Sequence, residues 1–255
     1  MSTQIKTEKE IALMRKSGQI AAQILKELSQ RAAPGVTTQE LNNLAESLIK
    51  ENGVKSAFYG YSSGKTGEAY PAVICASVNE MLVHGLPSDY SLKDGDILSL
   101  DFGVVYDGYY SDVAITIPIG DASGEARRLI RAAKKALNFG IKKVRPGNTV
   151  GDIGNTIQRY IESQGFGIVR DLVGHGIGKS LHEKPEIPNY GKRHKGIELV
   201  EGMVIAIEPM ITAGSWEVTL AKDGYGYETK DKSLSAHFEH TIAVTANGCE
   251  VLTTL

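Results

Sequence analysis

Two aspartates open the chemistry of this chain. Asp101 and Asp112 lie in DGDILSLDFGVVYDGYYSDVAITI, residues 94–117, a stretch with the composition of a β-hairpin. Runs rich in Ile, Val, Leu and Tyr flank Asp107-Gly108, a dipeptide that tolerates the positive φ angles of a tight turn. A two-residue turn there sets Asp101 opposite Ala114 and Asp112 opposite Gly103, so the carboxylates become diagonal neighbours on one face, within reach of a shared ligand. That face also carries Ser99, Thr116 and small residues. Leu98, Leu100, Phe102, Val104, Val113, Ile115 and Ile117 fall on the other face, which is apolar and predicted to pack. Two like charges this close, if even partly buried, call for a compensating cation. A polar face turned to solvent is the plainer reading, and an internal repeat decides against it.

PGVTTQELNNLAESLIKENGV, from Pro34, is matched in constant register by PGNTVGDIGNTIQRYIESQGF, from Pro146, and a helical segment precedes each copy. Further on, DGDILSLD ending at Asp101 is echoed by EGMVIAIE ending at Glu208. SDVAITI around Asp112 is echoed by FEHTIAV around Glu239. The chain thus reads as a duplicated helix-helix-strand-strand unit, with half-repeats at about 8–120 and 121–255, that gathers four carboxylates at a pseudo-twofold. Packing gives no reason to put an ionisable residue inside four apolar strands, because unpaired burial costs several kcal/mol. A metal gives one.

An imidazole completes the set. VGHGIGKSLHEKP, residues 173–185, places His175 between two glycines and His182 seven residues later. The glycines permit close backbone approach and leave the ring accessible. A phosphate loop is excluded: Val173 stands where the Walker pattern needs glycine, and Leu181 where a G-x-G-x-x-G motif ends. His175 lies upstream of Glu208 in the second half, and His84 upstream of Asp101 in the first. His194, His237 and His240 are expected at the surface or behind the ligands. Four carboxylates and one imidazole form a hard, oxygen-rich donor set, and four negative charges balance two divalent cations. Such a pair of ions lowers the pKa of a bridging water and stabilises a tetrahedral species, which points to hydrolysis.

The elements that must position these residues are legible from caps and breakers. Thr7-Glu8-Lys9-Glu10 has capping-box spacing and predicts a helix to about Arg31, ended by Pro34-Gly35. Thr37 to Glu40 opens a second helix, stopped by Asn52-Gly53. Ser123 caps a third, running toward Val144 and closed by Pro146-Gly147. Residues 57–85 read as an aromatic, glycine-rich loop that lines a site and settles into strand from Ala72 to Val78.

Composition bounds the rest. The chain has 255 residues, a formal charge of −2 and scattered Lys and Arg, so nucleic acid is not an expected partner. No run is long enough to span a bilayer, and membrane association is not expected. Only Cys75 and Cys249 are present, too few for a thiolate cage, which suits a reducing, cytoplasmic setting.

VNEMLVHGLP, DGDILSLDFG with Asp112, VGHGIGKSLHEKP, GMVIAIEPM and SLSAHFEHTI, present together and in order, make the chain resemble the type I methionine aminopeptidases of peptidase family M24 over nearly its whole length. The resemblance implies an α/β (α+β) pita-bread fold with an antiparallel sheet, one catalytic domain over residues 1–255, and a dinuclear metallopeptidase. Carried over by motif, the metal ligands are Asp101, Asp112, His175, Glu208 and Glu239, with Asp112 and Glu239 bridging two divalent ions (Co, Mn, Fe or Zn). Glu208 then shuttles a proton, His182 stabilises the oxyanion, and His84 contacts the substrate and assists the amide nitrogen. Phe58, Tyr61, Tyr70, Cys75, Leu181 and Tyr225, with His84 and His182, form the substrate pocket. The implied activity is removal of the initiator methionine from nascent polypeptides, at the ribosome, by a cytoplasmic monomer, when the second residue is small. The chain departs from the family pattern in the extra residues Ser63–Glu68, in Tyr225 where tryptophan is common, and in Leu181 where an aromatic is frequent. With no zinc finger before Thr7, it reads as the minimal bacterial type. The alternatives are a Pro-directed aminopeptidase or prolidase of the same fold, and a non-catalytic peptide-binding module. A two-metal phosphoesterase would need a phosphate cradle or arginine clamp that the sequence lacks.

Overall fold

The computed structural model describes residues 3–62 and 68–254. Of the Ser63–Glu68 segment only Glu68 falls among them. Four α-helices occur among the described residues: α1 (Glu8–Arg31), α2 (Thr38–Glu51), α3 (Gly124–Ile141) and α4 (Val150–Ser163). The first two begin as expected. The Thr7 hydroxyl accepts from Glu10 N while the Glu10 carboxylate accepts from Thr7 N, and Thr37 with Glu40 repeats the arrangement. α4 opens on a related arrangement, in which the Asp152 carboxylate accepts from Thr149 N (3.0 Å) and from the Thr149 hydroxyl (2.8 Å). Gly35 and Gly147, which precede α2 and α4, both adopt positive φ (91° and 83°). The repeat is thus reproduced in the backbone. α3 stops three residues short of Val144, where residues 142–143 form a turn capped onto Asn138 and Gly140.

The strands of the large sheet, nine among the described residues, are β1 (Lys55–Ser56), β2 (Cys75–Val78), β3 (Ile97–Tyr106), β4 (Tyr109–Pro118), β5 (Gly174–Gly176), β6 (Glu183–Ile187), β7 (Val204–Ile207), β8 (Glu239–Thr245) and β9 (Gly248–Val251). Their order is β1-β3-β4-β8-β7-β5-β6, with β2 also on β3 and β9 on β8. The β3–β4 hairpin has the predicted register, Asp101 opposite Ala114 and Gly103 opposite Asp112. At the centre β4 meets β8 antiparallel, Glu239 facing Ala114. A pseudo-twofold passes between these two strands and relates β3 to β7. Thr241 stitches the seam, its hydroxyl accepting from Asp112 N (2.9 Å) and donating to Asp112 O (2.8 Å).

Strand alternation then sorts the two faces of the sheet. Leu98, Leu100, Phe102 and Val104 pack with Ile24, Leu28, Leu41 and Leu48 of α1 and α2. Ile205, Ile207, Ile242 and Val244 pack with Leu129, Ala133, Ile153 and Ile157 of α3 and α4. Each large side chain buried this way contributes about 1.5–3 kcal/mol. All four helices therefore cover one face, and the residues of opposite parity, Asp101 and Asp112 among them, line the other. Two small sheets wall that face. Ser235–His237, Met210–Thr212 and Gly167–Ile168 form one, and Val218–Leu220, Tyr227–Thr229 and Met81–Val83 the other. Within residues 57–85 the strand expected over Ala72–Val78 forms as β2, and Met81–Val83 adds a second strand where loop was expected.

Candidate metal centre

Each acidic candidate sits at the strand position that the repeat assigns to it. β3 supplies Asp101, β4 Asp112 and β8 Glu239, while Glu208 directly follows β7. β5 supplies His175. Around that ring the carboxylates converge: His175 Nε2 lies 3.5 Å from Glu208 Oε1, 3.9 Å from Glu239 Oε1 and 4.0 Å from Asp112 Oδ2. Asp112, His175 and Glu239 offer ligand atoms all within 4.8 Å of one another, and Glu208, His237 and Glu239 do the same. Asp101 falls outside both triads, but its charge is among the causes that raise the Asp112 pKa.

The histidine is set up as an acceptor. His175 Nδ1 lies 2.9 Å from the carbonyl oxygen of Gly176, which can only accept, so Nδ1 carries the proton and the Nε2 lone pair faces the carboxylates. Register explains why the repeat supplies the carboxylates twice and the imidazole once. Gly176 pairs with Ile205 and Val78 with Leu98, which places Ser77 where the second half has His175.

The cluster fits a divalent cation. Burial lifts the Asp101 pKa to about 6 and that of Glu208 to about 8, and carries Asp112 and Glu239 well above the ordinary range with help from their acidic neighbours. Burial also holds His175 down, to about 3, and His237 below its usual value. The protein alone therefore resists four charged carboxylates. Asp101 Oδ1 and Glu239 Oε1 are buried without any hydrogen-bond donor, a costly state for a carboxylate unless a cation takes those lone pairs. A donor set of oxygens plus a neutral imidazole suits a hard or borderline divalent ion.

His237 corrects the sequence reading in part. Surface exposure is ruled out: the residue is 1% exposed, and its Nε2 stands 3.5 Å from Glu208 Oε2 and 3.8 Å from Glu239 Oε2. Its position two residues before Glu239 was the available signal, since alternation puts both on one face. His194 is exposed beside Asp152, and His240 bonds Thr253 through Nδ1, both away from the cluster.

Above the carboxylates opens a cavity of about 340 Å³. Phe58, Tyr61, Tyr70, Cys75, Leu181 and Tyr225 all line it, as do His84 and His182. Tyr70 is fixed by donating to the carbonyls of Ile74 and Gly85, both at 3.1 Å, and meets Tyr225 edge to face at 5.7 Å. The Tyr225 hydroxyl donates to Glu68 Oε2 (3.2 Å), which ties the residue after the undescribed 63–67 to the rim. Leu220 and Tyr227, carried by the sheet that holds Met81–Val83, and Leu172, packed beside its Leu82 and Val83, also line the cavity and were missed. The His182 ring packs edge to face on His175 with centroids 4.3 Å apart, and its Nδ1 is bonded to the Tyr61 hydroxyl. His84 sits at φ 58°, a strained backbone for a non-glycine residue, beside Tyr227.

Residues 12–246 match the model of metallopeptidase family M24. The chain belongs to metallopeptidase family M24. It is 46% identical over 249 residues to the methionine aminopeptidase of Clostridium perfringens, covering 98% of both chains. The methionine aminopeptidase structure from Thermotoga maritima superposes with a TM-score of 0.96 at 43% identity, covering 100% of both chains. The prolidase of Pyrococcus horikoshii is more distant, with a TM-score of 0.78 at 26% identity, and the match spans 63% of that chain. The pita-bread architecture is common to both. As an M24 metallopeptidase the chain works with a divalent metal, and no helix among the described residues is long and apolar enough to cross a membrane.

Proposed function

We propose that this metallopeptidase removes the initiator methionine from nascent polypeptides whose second residue is small. One observation carries the reading: a cluster of carboxylates and imidazole forms the floor of an apolar, aromatic cavity. The match to methionine aminopeptidases over whole chains supports the same substrate. Residues 1–255 act as one catalytic unit of two half-repeats, 8–120 and 121–255, and the enzyme works as a cytoplasmic monomer on chains emerging from the ribosome.

Asp101, Asp112, His175, Glu208 and Glu239 would hold two divalent ions, Co, Mn, Fe or Zn, with Asp112 and Glu239 shared between them. When bound, such ions polarise a carbonyl and supply hydroxide at neutral pH. The chain's own groups do the rest. Glu208, whose burial favours the protonated form, takes and returns a proton at its carboxylate. His182, held by Tyr61, faces the oxygen on which negative charge develops, and His84 faces the amide nitrogen that leaves. Phe58, Tyr61, Tyr70, Cys75, Leu181 and Tyr225 surround a thioether side chain, a flexible group that adapts to such a wall.

The alternatives are weaker. A Pro-directed peptidase is the more distant match at 26% identity. A non-catalytic binding module would have no use for five retained donors. Incubating the metal-loaded protein with Met-Ala-Ser and Met-Glu-Ser peptides tests the proposal: free methionine is expected from the first and little from the second. No release from Met-Ala-Ser would sink it.

A further inference from the structure

Lys6 and Glu183 form an ion pair that the reaction does not consume. Lys6 Nζ stands 2.7 Å from Glu183 Oε2, and the two side chains are 5% and 7% exposed. Burying two charges costs desolvation that largely offsets their attraction, so such a pair serves geometry more than stability. Its geometry concerns the turn between β5 and β6. Glu183 opens β6, and its other oxygen, Oε1, accepts from the turn amides of Lys179 (2.8 Å) and Ser180 (3.2 Å). A Cβ added at Gly178 would stand 2.5 Å from Lys6 Cε, so the lysine stem lies against the turn's backbone. Tyr110 N donates to Gly178 O (2.8 Å) and fastens the same turn to β4. The last residue of this turn is His182.

The ammonium comes from the other end of the chain. Lys6 lies one residue before the cap of α1, where its backbone N–H donates to Gly202 O (2.8 Å) and its Nζ to Gln4 O (3.3 Å). A second, more exposed link runs parallel to it. Glu10 of the capping box accepts from the Tyr109 hydroxyl (2.8 Å) and stands 3.5 Å from Lys179 Nζ.

We propose that Lys6 is a positioning residue for the reaction, fixing His182 over the metal cluster through Glu183. The inference rests on reading His182 as a group that faces the substrate. Without the ammonium, the Glu183 carboxylate is left buried and unpaired. It turns toward water and releases the two amides that shape the turn. A displacement of His182 by about 1 Å suffices for a rate loss of up to about a hundredfold.

The test uses the full chain loaded with zinc, a diamagnetic ion, and the variants Lys6→Met and Glu183→Gln. Arg15→Met is the control, because it breaks the Arg15–Glu250 ion pair, which joins α1 to β9 at a more exposed position. Lys6→Met is expected to lower kcat on Met-Ala-Ser roughly ten- to a hundredfold, with KM within about threefold and metal content unchanged. Adding His182→Ala to it should cause no further loss, while Arg15→Met should leave kcat as it was. In NMR spectra the His182 ring resonances should shift or split in Lys6→Met, and those of His240 should stay. Losses that multiply with His182→Ala, or His182 resonances that do not move, would overturn the proposal. The resonances decide even if the wild-type protein releases no methionine, an outcome that would instead defeat the proposed substrate. Should Lys6→Met fail to fold, Glu183→Gln, which keeps a hydrogen-bonding side chain, is read by the same criteria.

Discussion

Asp101 is the residue that best separates a ligand from a bystander, because it lies outside both tight triads and yet keeps one buried oxygen with no donor. An amide in its place preserves shape and half of the acceptors but removes the charge that a cation needs. Asp101→Asn is expected to lower turnover at least about a hundredfold, more than the effect typical of residues behind a ligand, and to leave the far-ultraviolet circular dichroism unchanged. Full activity in that variant would remove Asp101 from the site. Its environment also separates its role from that of Glu208. Both are raised by burial, to about 6 and about 8, but the neighbouring charges of His237 and Glu208 also act on Asp101, whereas burial is the one cause at Glu208.

At the scale of elements, the site depends on the seam between β4 and β8, and Thr241 holds that seam at Asp112. Thr241→Val keeps the volume and leaves the Asp112 N–H without its acceptor, so the protein should lose about 1–3 kcal/mol of stability in denaturant unfolding. An unchanged midpoint would show that the seam does not rely on this hydroxyl.

The elements are also where the sequence spoke most clearly. Thr7-Glu10 and Thr37-Glu40 announced their helices because a cap is a local, three-residue interaction. Asp107-Gly108 fixed the hairpin register because the turn type sets which residues face each other. The repeat carried further still, delivering Glu208 and Glu239 as counterparts of Asp101 and Asp112 before any strand order was known. The rim residues Leu220 and Tyr227 were illegible for the opposite reason. Their place depends on the small sheets, whose strands of three residues pair across long separations and leave almost no periodic signal. The Lys6–Glu183 pair, joining residues 177 apart in sequence, was equally beyond local pattern.

For the whole molecule the buried acids link stability to pH and metal. Asp101 and Glu208 bind protons more tightly in the folded chain than at their ordinary values of 3.8 and 4.5. The folded state therefore holds more protons than the unfolded one between those values and about 6 and 8. Taken alone, these two carboxyls make the metal-free chain less stable as pH rises through that window, opposed below about pH 6.5 by the buried His84, His175 and His182, which burial holds down to about 4, 3 and 4. Glu10, lowered to about 2 by its cap, works in the opposite sense, but only below its ordinary range. A divalent ion supplies the missing positive charge and restores what high pH removes. The difference in melting temperature between metal-loaded and metal-free protein should accordingly widen from pH 5 to pH 8, an increase readable by calorimetry. A constant difference would mean that the carboxylates are not the ligands.

Under the proposed function, four carboxylates and one imidazole hold a pair of divalent ions. Elemental analysis after equilibrium dialysis against manganese or zinc measures this directly. The wild-type chain should retain two ions, and Asp112→Asn or Glu239→Gln, each removing a shared ligand, should retain fewer. A wild-type protein that holds no ion at excess metal would contradict the claim.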